Sequence, residues 1–333
     1  MFARLRNRLT RHKKPGARSI RWFHRVNDLL AIPQLTYALL HDRATGGHYP
    51  LSWRKRFRLV VRMYRNTGRI ETGTSFRAHV AMASKILATP PRVEGCLVEC
   101  GAWKGGTSTN LSLIAHIVDR KLVVYDSFEG LPEPAEGDRW AGALGTGAFH
   151  GALEEVRDNI ETHGEIDVCE FRKGWFSDTL PHHREPVVFA YLDVDYQDSL
   201  HDCVLHLWPC LTSRGWVFID EYLRLDFCAL FFSEQWWARN FDRPPPGLLG
   251  AGTGVGVGQL FAGPMRGNAP QQRPLSAAAT RKDFYALWDF VPEGQPDWPV
   301  SYDPTDWTTT TRTIAEIERG HLDRIFGPDA QPG

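Results

Sequence analysis

Short apolar segments alternate with helical patterns across residues 96–220, and this alternation constrains the fold more than any other feature. The predicted strands are CLVEC (96–100), LVVYD (122–126), DVCEFRKG (167–174), PVVFAYLD (186–193) and WVFID (216–220). Predicted helices between them cover 107–118, 152–164 and 199–211. Strands this short and apolar, each followed by a helix, predict an α/β fold in which helices cover both faces of a mostly parallel sheet.

The third of these helices and the turn after it are predicted from local patterns. Helical spacing places five apolar side chains on one face of 199–211: Leu200, Cys203, Val204, Leu207 and Leu211. The dipeptide Arg214-Gly215 is typical of a turn that leads into the fifth strand. Together they predict a helix, a tight turn and a buried strand.

Four segments of the chain differ in composition and predict its domain organisation. Residues 1–25 form a basic N-terminal arm, 26–92 a helical extension or lid, 93–262 the core and 263–333 a C-terminal extension. Within the helical extension we expect one amphipathic helix around 49–68 and a second over 75–87, with Ser75 as its N-cap. The C-terminal extension contains one plausible strand, 282–290, and one plausible helix, 312–326.

Charge and cysteine content restrict the class of protein. The formal net charge is zero, yet residues 1–25 contain nine Lys or Arg and no acid. Such an arm is either solvated or in peripheral contact with an acidic surface such as a membrane, and no nucleic-acid partner is expected for the chain as a whole. No apolar stretch suits a secretory signal or a membrane span. Six cysteines without a CxxC pair indicate reduced core residues of a cytoplasmic protein.

The first strand runs into LVECGAWKGGTS, a strand, a glycine turn and a helix start, which is the layout of a nucleotide-like site. A dinucleotide fingerprint reads GxGxxG, whereas bulky residues here separate Gly101 from Gly105. That spacing suits a ligand without phosphates, such as S-adenosylmethionine, with Glu99 placed to meet its ammonium group. The alternative is a tight turn that serves packing only.

Two further strand ends extend the adenosine interpretation. Asp126 ends the second strand, where an acid commonly accepts hydrogen bonds from both ribose hydroxyls; it could instead cap the following turn. Gly174 and Trp175 follow the third strand and could contact an adenine face. Because the chain has twelve tryptophans, packing is the alternative role for Trp175.

Acidic residues end the fourth and fifth strands. Right-handed crossovers return the carboxyl ends of neighbouring parallel strands to one edge, so Asp193, Asp220 and Glu221 are expected to converge. Oxygen ligands without His or Cys favour Mg²⁺, Mn²⁺ or Ca²⁺ over zinc. Asp195 could act as a general base, and Asp198 as a helix N-cap or a favourable first-turn charge. The alternative is a set of loop acids in water.

Five blocks in one order resemble the macrocin O-methyltransferase family. They are VEGCLVECGAWKGGTS, VVYDSFEGLPEP, KGWFSDTLP, LDVDYQDSLHDCVLHLWPCL and RGWVFIDEY. The resemblance covers about residues 70–262, and GTGVGVGQLF (252–261) is similar to the last core strand of the family. It implies a Rossmann-like class I methyltransferase fold with a seven-stranded sheet. It also implies Mg²⁺-dependent transfer of a methyl group from S-adenosylmethionine to a hydroxyl of a sugar or glycosylated natural product.

The resemblance also implies roles for individual residues. The implied cofactor contacts are Glu99, Gly101, Asp126 and Ser127, with Gly174 and Trp175 near adenine. The implied metal ligands are Asp193, Asp220 and Glu221, and Asp195 is the implied base beside Asp193.

Departures from the family pattern leave alternatives open. Glu221 stands where two adjacent aspartates are common, and Val194 stands where a glycine is common. A catechol-like or other small diol could be the acceptor, or the chain could be a catalytically degenerate binding module. Family members are often oligomers. The loop 136–151 is either a lid, with Trp140 and Phe149 stacking on the substrate, or a surface loop.

Overall fold

A six-stranded sheet lies at the centre of the computed structural model, which describes residues 17–41, 47–134, 145–220, 230–231, 233–243, 245–246 and 278–281. The strands are β1 (Cys96–Cys100), β2 (Leu122–Asp126), β3 (Cys169–Lys173), β4 (Val187–Leu192), β5 (Leu211–Ile219) and β6 (Ala278–Arg281). They lie in the order β3-β2-β1-β4-β5-β6, with β1 to β5 parallel and β6 antiparallel to β5. The predicted α/β class with a mostly parallel sheet is confirmed. The strands predicted at 252–261 and 282–290 and the helix at 312–326 lie outside the described residues.

Eight α-helices are described. They are α1 (Ala17–His41), α2 (Trp53–Arg69), α3 (Phe76–Leu87), α4 (Gly106–Ile117), α5 (Leu153–His163), α6 (Phe176–Thr179), α7 (Gln197–Leu207) and α8 (Glu234–Phe241). Short 3-10 turns occupy Ile166–Val168 and Leu180–His182. The Ser75 hydroxyl accepts a hydrogen bond from the Ala78 amide at 3.1 Å, so the predicted N-cap of α3 is confirmed.

The basic arm is partly helical, because α1 begins at Ala17 and continues past residue 25. The Arg25 guanidinium donates to the Tyr64 carbonyl and the Thr67 hydroxyl, both at 3.1 Å, and lies 4.1 Å from the centre of the Tyr64 ring. Residues 17–25 therefore belong to the helical extension, and residues 1–16 lie outside the described part. Of the helices described, none has the length and apolar character required to cross a bilayer. No disulfide joins the cysteines that the structure describes.

Two predictions near β5 were wrong. Helix α7 ends at Leu207, and Leu211 begins β5 instead, where it pairs with Val187. Arg214-Gly215 is not a turn before the strand but lies inside it. Between the Val187–Leu211 pair and the Phe189–Trp216 pair the register shifts, so several residues of β5 oppose one of β4. Leu211 is apolar, as both a buried helix face and a buried strand require, so the sequence pattern did not distinguish them. The register shift is a bulge that accommodates residues 212–215 without ending the strand.

Strand alternation builds a core layer on each face of the sheet. Leu97, Val124 and Phe189 lie in the layer that packs against α1 to α5. Val98 and Ala190 point the other way, into the layer that packs against α7 and α8. Because both faces are covered, β1, β2 and β4 are apolar at almost every position, which is the pattern that identified them in the sequence.

The strand order reverses between β1 and β4, and the chain crosses closely there. Gly101 follows β1 with φ +89°, and a Cβ at this position would lie 1.8 Å from the carbonyl oxygen of Asp193, which follows β4. Neither the backbone conformation nor the space admits a side chain. A crevice at such a reversal, outside the carboxyl ends of the strands, is the usual ligand site of an α/β sheet.

We expect Gly101→Ala to destabilise the fold far more than Gly47→Ala. Both glycines have positive φ, but a Cβ at Gly47 would meet no atom within 4 Å. Gly47→Ala should cost only the conformational strain, about 1–2 kcal/mol, whereas Gly101→Ala also forces β1 and β4 apart. Urea denaturation of both variants measures the difference. An equal loss of unfolding free energy in the two variants would show that the close contact with Asp193 adds nothing to the cost of Gly101→Ala.

Candidate functional site

The residues that follow the strands form a row along one edge of the sheet. The backbone ladder continues past the strand ends, because the Gly174 amide donates to the Asp126 carbonyl at 3.0 Å and the Gly101 amide to the Tyr125 carbonyl at 2.9 Å. On the other side of the reversal, the Asp193 amide donates to Cys100 and the Asp220 amide to Leu192, both at 2.9 Å. These bonds fix the spacing of the predicted site residues in the way that a sheet fixes its strands.

This edge opens on a cavity of about 800 Å³. Eight of the predicted site residues line it: Gly101, Asp126, Ser127, Gly174, Trp175, Asp193, Asp195 and Asp220. Glu99 is not among the lining residues, and Glu221 lies outside the described part of the chain. The structure thus gathers the predicted cofactor and acidic residues, Glu99 and Glu221 apart, around one space large enough for a small-molecule ligand.

Asp126 holds the two loops that border the cavity. One carboxylate oxygen accepts from the Ala102 amide at 2.6 Å and, more weakly, from Trp103 at 3.4 Å, and the other accepts from the Phe128 amide at 2.6 Å. Burial raises the pKa of this carboxyl, while the backbone amides oppose the shift. The capping role that the sequence left open is therefore present. Since the side chain also lines the cavity, it remains available to a ligand there.

Ser127 shapes the same loop. Its hydroxyl donates to the Gly130 carbonyl at 2.8 Å and accepts from the Glu129 amide at 3.0 Å. Gly130 has φ +85°, and a Cβ there would meet the Gly147 and Ala148 backbone. The loop after β2 is thus pressed against residues 145–150, which close one side of the cavity.

Glu99 lies behind the sheet edge. Its side chain is fully buried, and neither carboxylate oxygen has a hydrogen-bond partner among the described residues. Burial raises the pKa of Glu99 to about 8; the nearby Ser108 hydroxyl opposes the shift without reaching normal hydrogen-bond geometry, and the charge of Asp126 adds to it. In this arrangement Glu99 does not reach the cavity where its predicted partner, the ammonium group of the cofactor, would lie.

The Tyr191 hydroxyl lies close to both Asp193 and Asp220, a contact that was not predicted from the sequence. The Tyr191 hydroxyl donates to an Asp220 oxygen at 2.6 Å and lies 3.4 Å from an Asp193 oxygen. Burial, followed by the charges of the two aspartates, raises the pKa of Tyr191 well above its usual value. Tyr191 therefore stays protonated between the carboxylates. In the sequence it stood within an apolar run and looked like a core residue.

Asp195 projects from a strained turn. Its φ of +57° is a left-handed conformation that Asp tolerates better than most residues. Val194 beside it is 3% exposed and packs in the core layer of α7, so the side chain that replaces the usual glycine lies mainly in the core.

Tyr196 is the N-cap of α7, with no side-chain hydrogen bond, and Asp198 lies in the first turn. Of the two roles predicted for Asp198, the N-cap is wrong and the first-turn charge is confirmed.

The cavity is strongly acidic. The acids that line it are Asp126, Glu129, Glu133, Asp193, Asp195, Asp198, Asp202 and Asp220, and its described lining residues include no Lys or Arg. Such a surface attracts cationic groups. Within the described ranges no cluster of three or more His, Cys, Asp or Glu side chains could hold a metal ion; the third predicted ligand, Glu221, lies outside those ranges.

Aromatic rings flank the opening. Phe149 and Trp175 are 40% and 38% exposed, although both line the cavity. Phe149 packs edge-on against Trp103, with ring centres 5.3 Å apart. These faces offer apolar surface to a ring-shaped ligand. Trp140, the other aromatic of the predicted lid, lies outside the described residues.

A mostly parallel sheet with a cavity at its strand-order reversal defines an α/β protein of the doubly wound type. The profile of the macrocin O-methyltransferase family matches residues 77–245, half of the chain. The chain belongs to the macrocin O-methyltransferase family, as its five sequence blocks indicated.

Two curated relatives are each 35% identical to the chain. One is the 8-demethyl-8-(2,3-dimethoxy-alpha-L-rhamnosyl)-tetracenomycin-C 4'-O-methyltransferase of Streptomyces olivaceus, over 146 residues, and the other is the demethyldecarbamoylnovobiocin O-methyltransferase of Streptomyces niveus, over 148 residues. Each match covers 41% of this chain and 56% of the relative, so the chain spans little more than half the length of either. Among solved structures, the O-methyltransferase NovP is 22% identical with a TM-score of 0.47, covering 76% of this chain and 98% of NovP.

We expect Glu99→Gln to become more stable than the wild type as the pH rises. The folded state keeps the Glu99 proton up to about pH 8, whereas the unfolded chain releases it near the ordinary value of 4.5. Between those values the wild type therefore loses stability with rising pH, by a total on the order of a few kcal/mol. Glutamine keeps the shape of the side chain and removes the titration.

Urea denaturation between pH 5 and pH 9 measures this difference. Glu94→Gln, in the exposed segment just before β1, is the control for removal of a glutamate. A stability difference between Glu99→Gln and the wild type that does not change with pH would contradict the burial of an uncharged acid at this position.

Proposed function

We propose that the protein is an S-adenosylmethionine-dependent O-methyltransferase that acts, with Mg²⁺, on a hydroxyl of a sugar or glycosylated natural product. Membership of the macrocin O-methyltransferase family supports the reaction. The two relatives at 35% identity are named as O-methyltransferases, one for a rhamnosyl-tetracenomycin C and one for demethyldecarbamoylnovobiocin. The first name supports a glycosylated acceptor for this chain.

The row of strand-end residues along one cavity is the observation that carries the proposal. Gly101 lets the backbone turn closely at the reversal, and Asp126, Gly174 and Trp175 line the cavity. In the proposed complex Asp126 would accept from the ribose, and an adenine ring would stack near Gly174 and Trp175. When bound, S-adenosylmethionine supplies a methyl group on a positively charged sulfur. The acidic cavity suits that charge, since its described lining residues provide no competing cation.

The acids beyond β4 and β5 provide a chemically suitable donor set for Mg²⁺. Asp193 and Asp220 offer carboxylate oxygens, which Mg²⁺ prefers, and they meet around one hydroxyl group. Glu221 would be the third ligand. When bound there, the ion supplies a positive charge that lowers the pKa of a coordinated alcohol.

The remaining work falls to the side chains around the acceptor. Asp195 would accept the proton of the substrate hydroxyl, since it lines the cavity while Val194 beside it is buried. Phe149 and Trp175 would cover the sugar and cofactor rings and exclude water. Methyl transfer then depends mainly on orientation of the oxygen towards the methyl carbon.

We expect Asp126→Asn to weaken binding of S-adenosylmethionine at least tenfold. The substitution keeps the size of the side chain but replaces an acceptor oxygen with a donor, both towards a ribose and towards the loop amides. Calorimetric titration with and without Mg²⁺ measures the affinity. Asp119→Asn, the same change at an exposed position beyond α4, should bind as the wild type does. Absence of binding to the wild-type protein under every condition would refute the methyltransferase proposal.

We expect Asp193→Asn to reduce methyl transfer at least a hundredfold and to raise the Mg²⁺ concentration needed for half-maximal rate. Loss of one charged ligand leaves a weaker cation site at the reacting hydroxyl. Release of S-adenosylhomocysteine, with methyl glycosides and catechols as alternative acceptors, measures the rate and tests the class of acceptor. Asp158→Asn, on the exposed face of α5, is the matched control. An unchanged rate for Asp193→Asn at low Mg²⁺ would exclude the metal-dependent mechanism.

A further inference from the structure

A continuous chain of buried hydrogen bonds ends on the acid pair Asp193 and Asp220. We name it the donor chain, and it consists of Asn66, Asn110, His79, Thr107, Thr74 and Tyr191. All six side chains belong to residues that are no more than 5% exposed. Buried polar groups are costly unless each is satisfied, so a run of six across the core is not accidental packing.

The first half of the donor chain connects three helices. The Asn66 amide nitrogen of α2 donates to the Asn110 side-chain oxygen of α4 at 3.0 Å. The Asn110 amide nitrogen lies 2.8 Å from Nδ1 of His79 on α3. His79 Nε2 in turn lies 3.1 Å from the Thr107 hydroxyl, at the start of α4. The helical extension and the core are therefore joined by polar contacts beneath the sheet edge.

The second half leads to the acids. The Thr107 hydroxyl donates to the Thr74 hydroxyl at 3.1 Å, and Thr74 lies 2.7 Å from the Tyr191 hydroxyl. Tyr191 donates to Asp220 at 2.6 Å, with Asp193 at 3.4 Å. The Thr74 oxygen lies 3.5 Å from the same Asp193 oxygen, farther than from Tyr191.

Every proton in the donor chain points towards the acids. An ionised Asp220 can only accept, so Tyr191 must donate to it and must accept from Thr74. Thr74 then accepts from Thr107, and Thr107 accepts from Nε2 of His79. At the other end an amide nitrogen can only donate, which leaves Nδ1 of His79 as the acceptor. Both ends give the same neutral tautomer, and burial, which lowers the pKa of His79 to about 3, keeps it neutral.

We propose that Tyr191 and Thr74 are positioning residues that hold Asp193 and Asp220 together as ionised ligands for a divalent cation. Two carboxylates in one place repel each other. The neutral Tyr191 hydroxyl offsets part of that repulsion, because it donates its proton to Asp220 and fixes the direction of that acid while its oxygen lies 3.4 Å from Asp193. The donor chain stabilises this arrangement because each hydroxyl accepts a hydrogen bond from the preceding group and therefore donates its own proton to the next group, ending at Asp220. The proposal rests on the proposed function, since it assumes that these acids bind a metal.

A comparison within β4 supports a specific role for the Tyr191 hydroxyl. Phe189, two residues earlier, lies in the same core layer and is also fully buried, but it has no polar atom. An aromatic ring alone therefore suffices to fill that layer. At position 191 the ring carries a hydroxyl, which lies within 2.7 Å of Asp220 and Thr74 and 3.4 Å from Asp193.

The test is cation binding by Tyr191→Phe, with Tyr125→Phe as the matched control. Tyr125 is also buried in the sheet, and its hydroxyl bonds His183 at 2.8 Å, away from the acid pair. Both variants lose one buried hydroxyl and should lose similar stability. Binding of Mn²⁺ to the full chain, followed by electron paramagnetic resonance and competed with Mg²⁺, should weaken about tenfold or more in Tyr191→Phe, as is typical for groups that orient metal ligands, and stay within twofold in Tyr125→Phe.

Thr74 provides a second pair of variants should Tyr191→Phe fold poorly. Thr74→Val removes the hydroxyl and should weaken Mn²⁺ binding, whereas Thr74→Ser retains it and should restore the wild-type affinity. Wild-type affinity in Tyr191→Phe and Thr74→Val would overturn the positioning role alone. A wild-type protein that binds no divalent cation would overturn the metal-dependent function, and the positioning role with it, while leaving cofactor binding to be judged by its own titration.

Discussion

The hydrogen bonds that continue the parallel ladder beyond the strands determine where everything else in the site can lie. Each of them joins a residue that has just left one strand to a carbonyl at the end of its neighbour. Loops normally vary in position, but these four residues inherit the spacing of the sheet. The glycine turn after β1, Asp126 at the end of β2 and the acid pair after β4 and β5 are therefore as well fixed as the core, although Gly101, Asp193 and Asp220 lie outside the regular strands.

The close contact of Gly101 with the Asp193 backbone is the narrowest point of this arrangement. It occurs where the strand order reverses, so the crossovers on the two sides leave in opposite directions and expose the strand ends to ligand. Concentrated negative charge is the cost of such a site. The protein offsets part of it with backbone amides at Asp126 and with the Tyr191 hydroxyl at the acid pair, and leaves the other acids at the open cavity.

Sequence reasoning located the strands and the row of residues after them, because apolar runs that end in glycine or acid mark both. It failed where a residue suited two roles. Leu211 is apolar enough for a helix face or a strand, and only its pairing with Val187 decides. The cofactor contact predicted for Glu99 stays a prediction: its side chain is buried and does not line the cavity, and the sequence does not reveal which face of β1 it occupies. The donor chain was out of reach altogether, since its members are far apart in sequence and each resembles an ordinary core or helix residue. Glu221 and the last core strand stay predictions.

The course of the donor chain changes how the helical extension should be regarded. A boundary near residue 93 separates helices from sheet, yet Thr74 and His79, on the far side of it, are bonded to Tyr191 and Thr107. The extension is thus a part of the acid site that happens to precede the sheet in the chain. A chimera that joins the helical extension of one family member to the sheet of another near residue 93 would replace one partner of each of these hydrogen bonds. The site stays intact in a chimera only if the segment from Asn66 to His79 and the elements that it is bonded to, α4 and β4, come from the same parent protein.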